Sequence, residues 1–460
     1  MASTEQALKP GLQKSLGLLD ATTIVMGSMI GSGIFIVAAD IGRQVNSPGL
    51  LLMTWLVTAL LTLTAALSYG ELAAAMPHAG GQYVYLREAF GPLCGFLYGW
   101  TLFTVIQTGT IAAVAVAFAK FAGVFLPAIS AENRLAPWVS TQQAVAIALL
   151  VLLTWINARG LREGAIVQNV FTVAKTLGLA GLVVLGLAGW RPEAVRANFD
   201  HFWGGADFGW TAVRLTGVAM VGALFSSDAW NNVTFIAGEI RNSRRNLPLA
   251  LALGAGAVSI LYLACNTVYL MLLPMAAIQN AAEDRVATAA VAAVLGPAAV
   301  QLMAAAIMIS TFGCVNGLIL AGARVYYAMA GDGLFFRQVA KVHPTRFTPV
   351  WSLVVQCLWG CALTLSGTYS ELLDYVIFAV LLFYILTIGG IFVLRRKRPD
   401  MERPYRAWGY PVLPILYIAV AGLIEILLLL YKPRYTWPGL IVVLLGIPVY
   451  FLWRRREVRA

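Results

Sequence analysis

Apolar residues run along this chain in stretches long enough to cross about 30 Å of hydrocarbon as helices. Twelve such stretches lie near residues 16–42, 49–76, 93–121, 138–157, 164–189, 211–238, 247–274, 298–328, 350–367, 372–394, 409–430 and 437–453. Short polar intervals separate most of them. The longest on one side are Trp190 to Gly209 and Ala276 to Gly296, the latter reading as short surface helices, and Arg395 to Arg406 forms a basic loop on the other. No stretch reads as an interdomain linker. The pattern predicts a single all-α transmembrane domain over 1–460, with both termini on one side of the membrane.

Two spans break the apolar pattern. The first holds Gly27-Ser28-Met29-Ile30-Gly31-Ser32-Gly33, three glycines and two serines in seven positions at mid-membrane. Each glycine costs a helix about 1 kcal/mol relative to alanine. Such a cluster lets the backbone unwind and offer bare N–H and C=O groups, which a bilayer tolerates only beside a cavity. A small-residue packing face is the other reading of the same glycines. The sixth span carries Phe225-Ser226-Ser227-Asp228-Ala229-Trp230-Asn231-Asn232, a polar island with a carboxylate. The second interruption comes five spans after the first, which places the two at matching positions of two five-helix halves, 16–189 and 211–394, with 409–453 peripheral. Paired broken segments of this kind point to a transport site between inverted repeats. The half-helix after the first break presents N–H groups and positive partial charge to a carboxylate. Carbonyls freed at the second break accept from an ammonium. A zwitterion fits the pair.

Composition narrows the class. At 60% hydrophobic, 12% charged and a mean hydropathy of +0.79, the chain cannot clothe a water-facing surface, which excludes a soluble enzyme, a disordered protein and a secreted disulfide scaffold. The net charge of +11 is topology rather than nucleic-acid affinity. Of 32 Lys and Arg, 22 fall on the side of the termini and nine on the other, so both termini are expected in the cytoplasm. The polar N-terminus and interrupted first span do not read as a cleaved signal peptide. Cys94, Cys265, Cys314, Cys357 and Cys361 all sit in or at the ends of spans and read as apolar filler. His78, His201 and His343 fall in loops, and neither a metal nor a cofactor is expected.

Lys175 lies deep inside the fifth span, far from either end. A lysine there costs roughly 2.5–3.5 kcal/mol on insertion scales, so it is expected to face the bundle and find acceptors. Its ammonium would occupy the place of a bound sodium ion, contacting carbonyls freed by the first break and hydroxyls of the eighth span.

These residues resemble the amino acid–polyamine–organocation superfamily and, within it, the L-type amino acid transporter family. The resemblance runs through most of the chain: Ile30 to Phe35, Tyr69-Gly70-Glu71-Leu72, Met76-Pro77 through Gly80-Gly81-Gln82-Tyr83, Gln168-Asn169 to Lys175, Phe225 to Asn231, Ser310 to Gly317, and Asp400 to Arg406. It implies a leucine-transporter-like five-plus-five inverted repeat with helices 1 and 6 unwound, two peripheral helices, and sodium-independent exchange of amino acids by alternating access. It implies that Ser28, Met29 and the Gly31-Ser32-Gly33 backbone hold the carboxylate. The amine would be held by carbonyls around Phe225, Ser226 and Asp228, with Phe225 as a gate and Trp230 and Asn231 beside it. It gives Lys175 the sodium-surrogate role, with Cys314 and Asn316 nearby. Animal members carry a cysteine for a heavy subunit between the third and fourth spans. The interval Leu126 to Ser140 has none, so no disulfide-linked heavy subunit is expected.

Asp228 is open between two roles, favouring a cationic side chain or bonding the unwound backbone, and a protonated form would allow proton coupling. Ser226 and Ser227 leave room for small neutral substrates such as Ala, Ser, Thr or Cys. Gln107 lines the pocket or bonds a neighbouring helix. Glu71, Arg87 and Glu88 belong to an inner gate, and Glu425 to a helix contact. A pore would show a continuous polar stripe, which the chain lacks. A membrane enzyme would need a nucleophile–base pair or metal ligands within spans. An amino acid sensor keeps the binding motifs, and a sodium or proton symporter is the alternative within transport.

Overall fold

A computed structural model describes residues 12–204, 206, 208–366 and 369–457. Helices dominate it. Nine of the described helices are long and apolar enough to cross a membrane, and ten if the bent pair α1 (Leu18–Met29) and α2 (Gly33–Val45) counts as one. The chain continues through α3 (Pro48–Ala75), α4 (Gln82–Phe90), α5 (Pro92–Ala122), α6 (Thr141–Arg159) and α7 (Leu161–Ala188). Next come α8 (Trp210–Ser226), α9 (Asn232–Phe235), α10 (Ser243–Leu272), α11 (Val286–Leu295) and α12 (Ala299–Gly331). It closes with α13 (Val350–Ser366), α14 (Tyr369–Lys397), α15 (Val412–Tyr431) and α16 (Pro433–Glu457).

The expected sixth span is α8 plus the four-residue α9, each too short to cross alone, and α13 has 17 residues. The predicted end of the ninth span at 367 lies outside the described residues. Among the described residues a two-stranded hairpin, Arg134–Ala136 with Val139–Ser140, interrupts the helices between α5 and α6. It leads into a reciprocal cap: Ser140 Oγ accepts from Gln143 N–H, and Gln143 Oε1 accepts from Ser140 N–H. Ser47 caps α3 through Leu50 N–H, ahead of Pro48 in the first turn.

The core is built from helices far apart in the chain that pack in pairs. α2 packs on α8, α3 on α10, α5 on α12, and α6 on α13. Small residues permit the approach. A Cβ on Gly254 of α10 would lie 2.5 Å from Val25 of α1, and one on Gly222 of α8 would lie 2.4 Å from Val37 of α2. One buried charge is closely matched. Arg324 of α12, a basic residue counted above with the loops, is buried and forks onto both oxygens of buried Glu239 at 2.8 and 3.1 Å. Two desolvated charges persist there because the pair is bidentate.

Candidate functional site

The first span breaks where its glycines are densest. α1 stops at Met29, Ile30 is extended (φ −75°, ψ 92°), and α2 starts at Gly33, bent by 41° from α1. The carbonyls at the end of α1 would be orphaned in hydrocarbon, and α7 and α12 supply their donors. Lys175 Nζ donates to Gly27 O and Ile30 O, each at 2.6 Å, and to Ser310 O at 3.3 Å. Ser310 Oγ donates to Gly31 O at 2.9 Å, and Cys314 Sγ contacts Ser28 O at 3.1 Å. The ammonium thus sits at the negative end of α1 while the positive end of α2 starts three residues on. A Cβ on Gly27 would lie 1.9 Å from Gln168 Nε2 and 2.2 Å from Thr172 Oγ1, so a larger residue there would displace both side chains.

The second break follows α8. Ser227 caps the helix, Ala229 takes a left-handed conformation (φ 64°) that costs a non-glycine residue roughly 1–2 kcal/mol, and α9 begins at Asn232. The two breaks touch. The Tyr262 hydroxyl of α10 lies 3.1 Å from both Met29 O and Ser226 O, one carbonyl from each broken helix. A Cβ on Gly33 would lie 3.2 Å from Ser226 Cα and 2.1 Å from Ser226 Oγ, so only glycine allows the approach. Ser226 Oγ itself bonds back to Gly222 O at 2.8 Å.

Asp228 looks the other way. Its Oδ1 accepts from the Tyr384 hydroxyl of α14 at 2.5 Å, and the same hydroxyl lies 3.2 Å from Asn231 Oδ1. Asn231 Nδ2 donates to Gln82 Oε1 at 2.7 Å. These groups line a cavity of about 20 Å³ together with Gln107, whose Nε2 donates to Leu318 O at 2.8 Å. Gln107 follows a π-helical turn in α5, Leu102–Ile106, an irregularity common beside functional sites. The space holds about one water and is too small for an amino acid.

The expected site residues therefore divide into two groups. Ser28, Met29, Gly31, Gly33, Ser226, Lys175 and Cys314 meet around the first break, and Ser32, buried, caps α2 there. Asp228, Asn231 and Gln107 meet at the cavity. Phe225 is buried and lies off the cavity wall. Trp230 packs edge-on to Tyr69, centroids 4.8 Å apart, and against Tyr384 at 5.1 Å, which places it in an aromatic cluster. Asn316 is not on the ammonium: it bonds Gln168 Oε1, Gly164 O and Asn157, a network joining α12 to α6 and α7. Ser310, at the head of the eighth-span motif, meets the ammonium through its carbonyl rather than the expected hydroxyl, and Tyr262 and Tyr384 complete the site without having been singled out.

Both faces above and below the breaks are clasped. On the face of the termini, Leu16 pairs with Ile240, Arg87 pairs with Asp332 and Glu88, Tyr83 donates to Asp332 at 2.7 Å, and Arg398 reaches Glu88. Glu71 is buried and holds Arg395, Arg403 and Ala407 N–H, which ties the basic loop to α3. On the opposite face, Arg43 pairs with Asp284 at 2.8 Å and Lys120 with Glu283 at 3.2 Å. Both acids have positive φ, so the turn that presents them is strained. The hydrogen bond to Asp284 raises the Arg43 pKa against the opposing effect of burial.

A profile of the amino acid permease family matches residues 16–451. The chain belongs to that family. Relatives of the family include the mouse large neutral amino acids transporter small subunit 2, 31% identical over 96% of this chain and 81% of its own length. The mouse Asc-type amino acid transporter 1 is 29% identical over 97% of this chain and 82% of its own length. The mouse b(0,+)-type amino acid transporter 1 is 30% identical over 96% and 88%. These are transport proteins, not enzymes, and they place the chain with L-type members of the amino acid–polyamine–organocation superfamily. One relative is itself named a small subunit, so the family gives no support to the expectation that this chain works without a heavy subunit.

Proposed function

We propose that this permease is a secondary transporter that exchanges small neutral L-amino acids across the cell membrane, independently of sodium, by alternating access. The single observation carrying this reading is the meeting of the two helix breaks: Tyr262 bridges Met29 O and Ser226 O, and Gly33 lies against Ser226. A zwitterion bound between them would place its carboxylate at the first-turn N–H groups of α2 and its ammonium at carbonyls of Phe225 to Asp228.

Lys175 supports sodium independence, since its ammonium already supplies the positive charge against Gly27 O and Ile30 O. The pairing of corresponding helices, α2 with α8, α3 with α10, α5 with α12 and α6 with α13, supports twelve spans in two inverted five-helix halves with two peripheral helices. In that topology α8 with α9 is the sixth span and α13 the ninth. The basic bias of the terminal side supports cytoplasmic termini. With both faces clasped and only two cavities of about 20 Å³ each beside Asp228, the arrangement fits a state closed to both faces that opens to one at a time. The names of the relatives, large neutral and Asc-type, support an amino acid substrate.

A second reading, acceptance of cationic side chains, is favoured by the Asp228 carboxylate on the cavity wall. Uptake of labelled serine into proteoliposomes tests both. Serine-loaded vesicles should take up label irrespective of sodium or a pH gradient, and empty vesicles should not. Uptake into empty vesicles driven by either ion would replace exchange with symport. Stimulation by internal arginine would establish the second reading.

A further inference from the structure

A second cavity lies on the membrane-facing side of α8, away from both breaks. It is a groove of about 280 Å³ between α3, α8 and α15, walled by Met53, Val57, Val213, Met220, Leu423 and other apolar side chains, with Thr216 as its one hydroxyl. Along α8 it runs from Val213 to Met220, about 10 Å at 1.5 Å per residue, or a third of the hydrocarbon thickness. Water has almost nothing to bond there, and Met53 and Val213 are exposed to the bilayer. The occupant is therefore hydrocarbon.

The end of the groove nearest the face opposite the termini says more. Trp203 and Phe208 roof it, packed edge-on with centroids 5.1 Å apart, and Trp210 stands exposed beside them. Such aromatics mark the headgroup level of a bilayer. Arg214, one residue beyond Val213, rests on the face of the Tyr431 ring at 5.2 Å, and Lys432 follows Tyr431. A guanidinium held over a ring face still has N–H groups to offer a phosphate. An apolar slot roofed by aromatics at headgroup depth, with the Arg214 cation adjoining it, is complementary to an anionic phospholipid rather than to a sterol or a zwitterionic lipid.

The position couples the groove to the site. α8 is held between α2, where Gly222 meets Val37, and α15, where Gly217 meets Leu427, and it ends at Ser226 where the second break begins. We propose that this groove binds one anionic phospholipid, with an acyl chain along α8 and its phosphate at Arg214, and that the bound lipid braces the half-helix leading to the second break.

Native mass spectrometry of the whole protein, incubated with phosphatidylglycerol, phosphatidylcholine or a sterol, tests this without measuring transport. The wild type should retain one phosphatidylglycerol in preference to the others. Arg214→Gln should weaken that retention about fivefold, the effect of one basic residue near an anionic surface, and remove the preference over phosphatidylcholine. Val213→Trp, which fills the slot, should remove it for both phospholipids. Equal retention of the two phospholipids by the wild type, retention of a sterol in their place, or phosphatidylglycerol binding unchanged in both variants would overturn the proposal.

Discussion

Removing the ammonium of Lys175 is the perturbation that weighs the first break most heavily. Lys175 is 3% exposed and makes two 2.6 Å bonds to Gly27 O and Ile30 O, carbonyls that the end of α1 leaves without helical donors. Hydrogen bonds to a charged group contribute about 1.5–3 kcal/mol each, so Lys175→Ala forfeits roughly 3–6 kcal/mol of local stabilisation. Water entering the space recovers part of it, which leaves on the order of 3 kcal/mol against the geometry of the break. At about 1.4 kcal/mol per factor of ten, exchange should fall about a hundredfold. The assay is counterflow of labelled serine in proteoliposomes, with monodisperse elution of the purified variant as the control for folding. Lys175→Met separates charge from bulk, because it fills the same channel between α7 and α1 without a donor. Both variants should fail alike. Exchange within about twofold of wild type in Lys175→Ala, or recovery by Lys175→Met, would refute the role of the ammonium as a fixed cation.

Four further outcomes follow from the same geometry. Tyr262→Phe loses the hydroxyl between Met29 O and Ser226 O, worth about 1–2 kcal/mol, and should slow exchange roughly tenfold while the protein still elutes as a folded species; unchanged exchange would mean that the bridge is idle. Gly33→Ala should abolish exchange, because its Cβ meets Ser226, and Ser226→Gly in the same chain should restore part of it; activity in the single variant would deny the close approach. Asp228→Asn keeps an acceptor for Tyr384 but removes the charge, so the ratio of arginine to serine inhibition should drop, and an unchanged ratio would leave Asp228 a purely structural residue. Burial raises the Glu88 pKa, but hydrogen bonds from Arg87 and Arg398 outweigh it and hold the carboxyl below its ordinary value. A depressed carboxylate contributes stability above its unfolded pKa of about 4.3 and loses it as pH falls through the folded value. The thermal advantage of wild type over Glu88→Gln should then be constant from about pH 8 to 5 and vanish in stronger acid; a difference that titrates near neutrality would contradict the assignment.

Much of the frame was legible because the bilayer enforces it. A span must be apolar, so twelve runs stand out, and a glycine cluster or a carboxylate within a run stands out in turn. That is why Gly27 to Gly33 and Ser226 to Asn232 could be read as the places where the helices break. The partners of those breaks carry no such contrast. Tyr262 and Tyr384 lie in apolar spans where a tyrosine is as good a packing residue as any, and only the crossing of α10 and α14 over the breaks brings their hydroxyls to Ser226 O and Asp228. Neighbours in sequence also parted in space. Asn316 follows Cys314 by two positions, which on a helix is nearly the opposite face, and so it bonds Gln168 instead of the Lys175 group. The hairpin at Arg134 to Ser140 left no alternating pattern long enough to read as strands.

The central claim is that one amino acid binds where the two helix breaks meet, and a structure of the protein with L-serine bound tests it most directly. The carboxylate is predicted within hydrogen-bonding distance of N–H groups of Gly31 to Gly33, and the ammonium at carbonyls of Phe225 to Asp228, with Lys175 still on Gly27 O and Ile30 O. Serine seated elsewhere, with Met29 O and Ser226 O still bridged by Tyr262 and no ligand between them, would contradict it.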